Sequence, residues 1–292
     1  LVIIAAMKIL LRALAYLPLP LSHALGWLLG WLAYADRKRR RMSLLHIAYA
    51  YPEFNEQARR TLARQAMQNL IMAFAESPRL WFGAEKNLRR YLLGVQGESY
   101  LQTALAQQKG VILLTPHLGA WEFAGLWCAQ QAPLTSLYKE QGGDLDALMV
   151  QGRTRTGAKL ATSDQSGVKA LLKALKNGEM LGILPDQDPP SGSGVFVPFF
   201  EQTAHTPTLT SKLAHRNDVP VLMLYAQRVF GRGYVIHIQP PLAAMTGDEM
   251  VDCTAVNAAV EQAVRALPQQ YYWAYPRYRR QMAGVMSPYK QL

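Results

Sequence analysis

Val111-Ile112-Leu113-Leu114-Thr115-Pro116-His117-Leu118-Gly119-Ala120-Trp121-Glu122 passes from an unbroken aliphatic run to a histidine, a glycine and an acid. A short, continuous aliphatic run suits a strand buried on both faces, as in a parallel sheet, and Pro-His-Leu-Gly interrupts it. The residues from Trp121 onward read as a helix, so the stretch is one strand–turn–helix unit of an α/β fold.

The same alternation continues outward. Strands are predicted over 111–115, 135–139, 180–184, 219–229 and 234–239, and helices over 121–131, 144–156, 167–177, 207–216 and 252–267. The order predicts an α/β fold with a mixed, largely parallel sheet flanked by helices. Upstream, Leu62, Met67, Leu70, Ile71, Phe74 and Leu80 recur at helical spacing within 55–82, which predicts a helical hairpin. A content of 50% hydrophobic and 17% charged residues excludes a disordered chain. The two cysteines, Cys128 and Cys253, are too few for a disulfide framework and lack zinc-site spacing.

The net charge of +11 is gathered at the ends. Residues 1–42 hold seven Lys/Arg against one acid, and residues 265–292 five against none. Basic runs beside an apolar stretch point to an anionic membrane surface rather than to nucleic acid, whose binders spread their cations along a face. That apolar stretch is residues 13–35, 23 residues without a formal charge. As one helix they would rise about 35 Å against a hydrocarbon core of about 30 Å, which predicts an N-terminal hydrophobic membrane-anchor helix. Pro18 and Pro20 would kink it, leaving a shorter piece over 21–35 able to lie in the interface, so spanning and lying both stay open. Lys8, Arg12 and Ala33-Tyr34-Ala35 also have the form of a cleaved signal, but the cluster Arg37-Lys38-Arg39-Arg40-Arg41 resists export and keeps the rest of the chain in the cytoplasm. The chain then divides into an anchor with its basic flank, 1–42, and a catalytic domain, 43–292; Met7 is a plausible native start. Ser22, Gly26 and Gly30 form a small-residue stripe for a second helix or for the protein's own body, and Trp27 and Trp31 suit interfacial anchoring or packing.

His117 leaves a strand end and Glu122 opens the next helix, where an intervening turn permits the carboxylate to fold back under the imidazole. A histidine held by a carboxylate is a general base. The same spacing also suits a helix cap with a dipole-complementing acid, and spacing alone does not separate the two. No serine or cysteine stands in a nucleophile-elbow context nearby, so the attacking hydroxyl belongs to a substrate. Asp186 and Asp188, without histidine partners in their loop, are a poor metal pair, and no metal is expected. Lys139, at the end of the strand predicted over 135–139, suits either substrate contact or the surface. His23, His46, His205, His215 and His237 have no partner pattern and read as structural.

His117-Leu118-Gly119-Ala120-Trp121-Glu122 resembles the His-x4-acid motif of the lysophospholipid acyltransferase superfamily, and its surroundings resemble the late (secondary) acyltransferases of lipid A biosynthesis. The supporting matches run in the family's order: Tyr51-Pro52-Glu53, Tyr138-Lys139, Gly152-Arg153-Thr154-Arg155, Leu184-Pro185-Asp186-Gln187-Asp188, Gly194 to Phe200, Val219-Pro220-Val221, and Pro268 to Trp273. The resemblance covers nearly the whole chain from about residue 8. It implies a glycerolipid-acyltransferase-like fold and an inner-membrane enzyme of Gram-negative bacteria, with one N-terminal anchor and a catalytic domain on the cytoplasmic face. It implies transfer of a fatty acyl chain from acyl carrier protein to the 3-hydroxyl of an acyl chain on a lipid A precursor, with no cofactor. His117 would be the base and Glu122 its partner; Arg153, Arg155, Lys139 and Asp186 would bind substrate or fix the loop. The helix start at Gly119–Trp121, or an arginine, would supply oxyanion donors. Where many relatives carry a Trp-x-His-Arg-Arg-Phe-like segment, this chain has Trp273-Ala274-Tyr275-Pro276-Arg277-Tyr278-Arg279-Arg280, without the histidine. The Leu-Pro-Asp-Gln-Asp form resembles the branch that acts on a five-chained precursor. A lysophosphatidate acyltransferase would normally carry a Phe-Pro-Glu-Gly-Thr-Arg-like loop instead, and a non-catalytic lipid-binding protein would not need the histidine–acid pair.

Overall fold

Strand β2 (Val111–Leu114) runs through the middle of the sheet and presents its carboxyl end, with the Pro-His-Leu-Gly turn, at one edge. A computed structural model describes residues 11–140 and 142–291; Met7 and Lys8, which bear on the nature of the N-terminus, lie outside them. Before β2 come α1 (Leu19–Ala33), α2 (Arg37–Ala50), α3 (Glu56–Phe82), α4 (Lys86–Tyr91), β1 (Leu92–Gln96) and α5 (Glu98–Ala106). After it come α6 (Trp121–Cys128), β3 (Leu134–Tyr138), α7 (Gly143–Thr154), β4 (Lys159–Thr162), α8 (Gln165–Lys176), β5 (Met180–Ile183), β6 (Gly194–Phe199) and β7 (Gln202–Pro207). The chain ends with α9 (Leu209–Asn217), β8 (Val221–Val229), β9 (Gly233–Ile238) and α10 (Glu249–Ala266).

Seven strands form one sheet in the order β1-β9-β8-β2-β5-β3-β4. Its pairs are parallel except β8 with β9, so the sheet is mixed and largely parallel, as the alternation predicted. β6 and β7 form a separate antiparallel hairpin. Every residue of β2 and β5 is buried, because helices cover both faces. Ile112, Leu114, Leu181 and Ile183 pack with Leu171, Leu213 and Val260 on one side. Val111, Leu113 and Met180 pack with Leu101, Phe123 and Leu126 on the other. Cys128 and Cys253 are free, buried thiols that burial pushes up to about 12.

The N-terminal half departs from the sequence reading in two ways. The hairpin expected over 55–82 is one 27-residue helix, α3, capped by Asn55 and continuous through Pro78. Its line is held on both sides of the proline: Arg228 grips Glu76, and Arg79 donates to the carbonyls of Ala15 and Leu17 at 3.1 and 2.9 Å. The expected membrane-anchor helix is also replaced by something shorter. Pro18 precedes α1, whose 15 residues rise only about 22 Å, and among the described residues no helix is long and apolar enough to cross a membrane. α1 instead lies on α3 along the small-residue stripe: a Cβ at Gly26 would fall 2.5 Å from Met72 Cα, and one at Gly30 2.4 Å from Gln68 Cα. Its other side leaves Leu21, Trp27, Leu28, Trp31 and Leu32 exposed. α2 comes next, its first turn made of the basic cluster and its start capped by Asp36, which accepts from the Lys38 and Arg39 amides. The boundary expected between residues 42 and 43 falls inside α2.

Candidate active site at the carboxyl edge of the sheet

β2 and β5 are parallel neighbours in register, Leu114 opposite Ile183, and the amide of Thr115 donates to the carbonyl of Ile183 at 2.9 Å. Three residues past these strand ends stand His117 and Asp186. Register and strand order alone therefore bring the histidine and the aspartate together. Asp186 Oδ1 accepts from His117 Nδ1 at 2.9 Å, and Oδ2 accepts from the His117 amide at 2.9 Å.

The imidazole's carboxylate partner is thus Asp186, and not Glu122 as the motif spacing suggested. Burial would raise the pKa of Asp186, but the charge and hydrogen bonds of His117 bring it below the ordinary aspartate value. Tyr271 also hydrogen-bonds Asp186; burial and the carboxylate's charge push its phenol well up, so it stays protonated. An ionised Asp186 needs a proton on Nδ1, which leaves the lone pair on Nε2. Nε2 lies 3.1 Å from the Gln187 amide nitrogen, a donor, and the ring is bordered by Trp121 and Tyr272. The ring is thus held by Asp186 at Nδ1 and turns Nε2 to the carboxyl edge of the sheet, where it meets an amide that an incoming hydroxyl can displace.

Glu122 turns the other way, under α6. Its oxygens accept from Arg153 Nη2 at 2.5 Å and Nε at 3.0 Å and from Trp81 Nε1 at 2.9 Å. Burial would raise it, but the charge of Arg153 and the bonds from Arg153, Trp81 and Trp121 hold the carboxyl below its ordinary value. The pair ties α6 to the end of α7 and to α3. Gly152 makes the approach possible, since a Cβ there would meet the Trp81 ring at 2.2 Å. Arg155 Nη1 donates to the Leu80 carbonyl at 2.7 Å, a second brace between α7 and α3. Lys139 is exposed just past β3, on the same carboxyl edge as His117.

Asp188 leaves the site in another direction. Its buried carboxylate pairs with His205 Nδ1 at 2.9 Å, Arg279 Nη2 at 3.0 Å and Arg280 Nε at 3.3 Å. The two aspartates of the loop thus serve different partners, and among the described residues no group of three or more His, Cys, Asp or Glu is placed to hold a metal ion.

The turn between His117 and α6 is pinned by its own backbone. Gly119 has φ +67°, its amide donates to the Gln270 carbonyl at 3.0 Å, and a Cβ there would lie 2.0 Å from the Ala226 oxygen. The Ala120 amide donates to the same Ala226 oxygen at 2.8 Å, and the His117 carbonyl accepts from the Tyr272 amide at 3.2 Å. The amides of Gly119 and Ala120, expected among the oxyanion donors, are spent on holding the turn. Sequence reasoning placed Asp186 in the site but gave it another task, and it assigned none to Gln187 or Tyr271. The one available signal was that His117 and Asp186 stand equally far past two aliphatic runs; that those strands are neighbours is a property of the topology.

The family model described as bacterial lipid A biosynthesis acyltransferase matches residues 2–280 of this chain. The lipid A biosynthesis lauroyltransferase of Escherichia coli (strain K12) is 30% identical over 279 residues, covering 94% of this chain and 90% of its own. The palmitoleoyltransferase of the same organism is 26% identical over 278 residues, covering 94% and 90%. Its myristoyltransferase is 25% identical over 281 residues, covering 93% and 84%.

Proposed function

Because this chain belongs to the bacterial lipid A biosynthesis acyltransferase family, we propose that it transfers a fatty acyl chain from acyl carrier protein to the 3-hydroxyl of an acyl chain on a lipid A precursor, at the cytoplasmic face of the inner membrane. The observation that carries this reading is the His117–Asp186 pair, with Nε2 facing Gln187 at the open carboxyl edge of the sheet. His117 Nε2 takes the hydroxyl proton as the oxygen attacks the thioester carbonyl. Asp186 fixes the tautomer and stabilises the imidazolium. The tetrahedral oxyanion accepts from the Gln187 amide, then collapses; the C–S bond breaks and the thiolate takes the proton back from Nε2. One ester and one thiol result, without an acyl-enzyme.

Arg153 and Arg155 act here as braces that carry Glu122 and α7. Lys139 and Arg279, both exposed, and the half-buried Arg280 meet the phosphates of the acceptor, the two arginines from beside Asp188. The apolar outer side of α1 and the basic first turn of α2 rest on the membrane surface, with no span required of the described residues.

The test is acyl transfer read by mass spectrometry, with detergent-purified protein, acyl carrier protein loaded with several chain lengths, and four- and five-chained lipid A precursors beside lysophosphatidate. The expected result is a mass gain on a lipid A precursor that His117→Ala abolishes. Alanine at Arg279 or Arg280 should raise KM more for a phosphorylated acceptor than for its dephosphorylated form. Gain on lysophosphatidate alone would replace the proposed acceptor, and gain on none would remove the reading.

A further inference from the structure

The protein interior holds a second ionised pair, which the reaction does not use. Glu76 of α3 and Arg228 of β8 are each about 1% exposed and meet through a two-pronged bridge, Nη2 to Oε1 at 2.6 Å and Nε to Oε2 at 2.7 Å. Arg228 Nη1 also donates to the carbonyl and side-chain oxygens of Asn69, both at 3.3 Å. Burying such a pair gains little stability over apolar residues of similar volume, so its use lies in what it holds in place.

Two of its contacts lead to the site and to the N-terminus. Arg228 Nη2 donates to the carbonyl of Gly119 at 3.1 Å, in the turn that carries His117. The arginine's backbone grips the same turn indirectly: its amide donates to Gln270 Oε1 at 2.9 Å, its carbonyl accepts from Gln270 Nε2 at 2.9 Å, and the Gln270 carbonyl accepts the Gly119 amide. In the other direction, His23 of α1, wholly buried, places Nε2 at 2.8 Å from Glu76 Oε2. Its Nδ1 accepts from the Gly231 amide at 2.9 Å, so the hydrogen sits on Nε2 and is donated to Glu76.

We propose that Arg228 is a positioning residue for the His117 turn, and that Glu76 and His23 extend its hold to α1, making the seat of the N-terminal helix and the aim of the imidazole one mechanical unit. The inference rests on His117 being the base of the acyl transfer proposed above. The bond to Gly119 fixes a carbonyl two residues from His117, and the path back to α1 is continuous in hydrogen bonds. A helix whose outer side is apolar thereby bears on the turn that carries the base.

The test compares wild type, Arg228→Lys, the paired replacement Glu76→Met with Arg228→Met, and His23→Leu, all as full-length protein in detergent. The paired replacement removes both charges, so neither is left buried alone. In the acyl-transfer assay, Arg228→Lys and the paired replacement should lower kcat about 10- to 100-fold with KM within about twofold, as loss of a supporting contact does. His23→Leu should lower kcat less, and should add little in the Arg228→Lys background, because the two act through one path. Amide hydrogen exchange at Gly119 and Ala120 is a readout that needs no turnover, and it should quicken in the same variants. A folded paired variant with wild-type kcat, a rise in KM alone, or unchanged exchange at the turn would overturn the proposal; full additivity with His23→Leu would overturn its extension to α1. Wild type as inactive as His117→Ala would instead overturn the acyl-transfer reading, leaving exchange to decide the positioning.

Discussion

The two carboxylates near the turn, Asp186 and Glu122, have the same charge and different tasks, and substitution separates them. Asp186→Asn keeps the shape but loses the charge that selects the Nδ1–H tautomer, so kcat should fall by about 10³-fold or more at nearly unchanged Tm. Glu122→Gln leaves the largely buried Arg153 without its counter-charge, which should cost about 3 kcal/mol, seen as a lower Tm with a smaller effect on kcat per folded molecule. A rate loss for Glu122→Gln as large as that for Asp186→Asn, at unchanged Tm, would return Glu122 to the chemistry. The histidine was legible as a candidate because it leaves a strand end inside a motif that resembles a known family's, although its spacing alone left a helix cap open as well. Its partner was not, because Asp186 lies 69 positions away and reaches His117 only through the pairing of β2 with β5. Five-residue spacing favoured Glu122, yet the first turn of α6 carries that side chain beneath the helix, where Arg153 and Trp81 wait.

Among the elements, those with long apolar patterns were legible: β2, β3, β5, β8 and β9, and the helices between them. β4, Lys159–Thr162, is a four-residue edge strand with one fully buried side chain, too little pattern to see. β6 and β7 form a hairpin apart from the main sheet, where Pro198 weakened any strand reading. The helical spacing within 55–82 was legible, but not that it belongs to one helix: α3 runs unbroken through Pro78, whose missing amide is tolerated where Glu76 and Arg79 are held. The packing of α2 against the C-terminal segment gives a pH test. His46 Nδ1 donates to the Trp273 carbonyl at 2.7 Å and Nε2 accepts from the Tyr289 hydroxyl at 2.6 Å, so the ring is neutral. Burial lowers its pKa to about 4, against the partial opposition of the Trp273 bond, while the charge of Arg277 lowers it further. The unfolded chain binds this proton at higher pH than the folded one. The stability it supplies is therefore complete above about pH 6.5 and is lost as pH falls toward about 4. Unfolding free energy should drop by about 2 kcal/mol between pH 7 and pH 5, and His46→Gln should flatten that segment; an equal slope in both proteins would mean that another group titrates there.

For the whole molecule, charge and apolar surface meet at one place. α2 begins with five consecutive basic residues although a helix start favours acids, and Asp36 supplies the cap that offsets them. Immediately before it, Trp27, Leu28, Trp31 and Leu32 of α1 are exposed. Under the proposed function, a surface that combines unfavourable local electrostatics with exposed apolar side chains suits an anionic lipid surface, and this can be tested. The protein should sediment with phosphatidylglycerol-containing vesicles. Replacing Trp27 and Trp31 by serine should weaken this binding more than about tenfold, and each Lys or Arg removed from residues 37–41 should cost about 1 kcal/mol at low salt. Undiminished sedimentation of the tryptophan double variant would place the contact elsewhere on the molecule.

The two thiols have a practical consequence. With only Cys128 and Cys253 in the sequence, both enclosed and both pushed up to about 12, the unaltered protein is already a blank background for maleimide chemistry. A single cysteine introduced at Leu28 or Trp31 would accept a fluorophore or nitroxide at one address, turning α1 into a gauge of immersion depth.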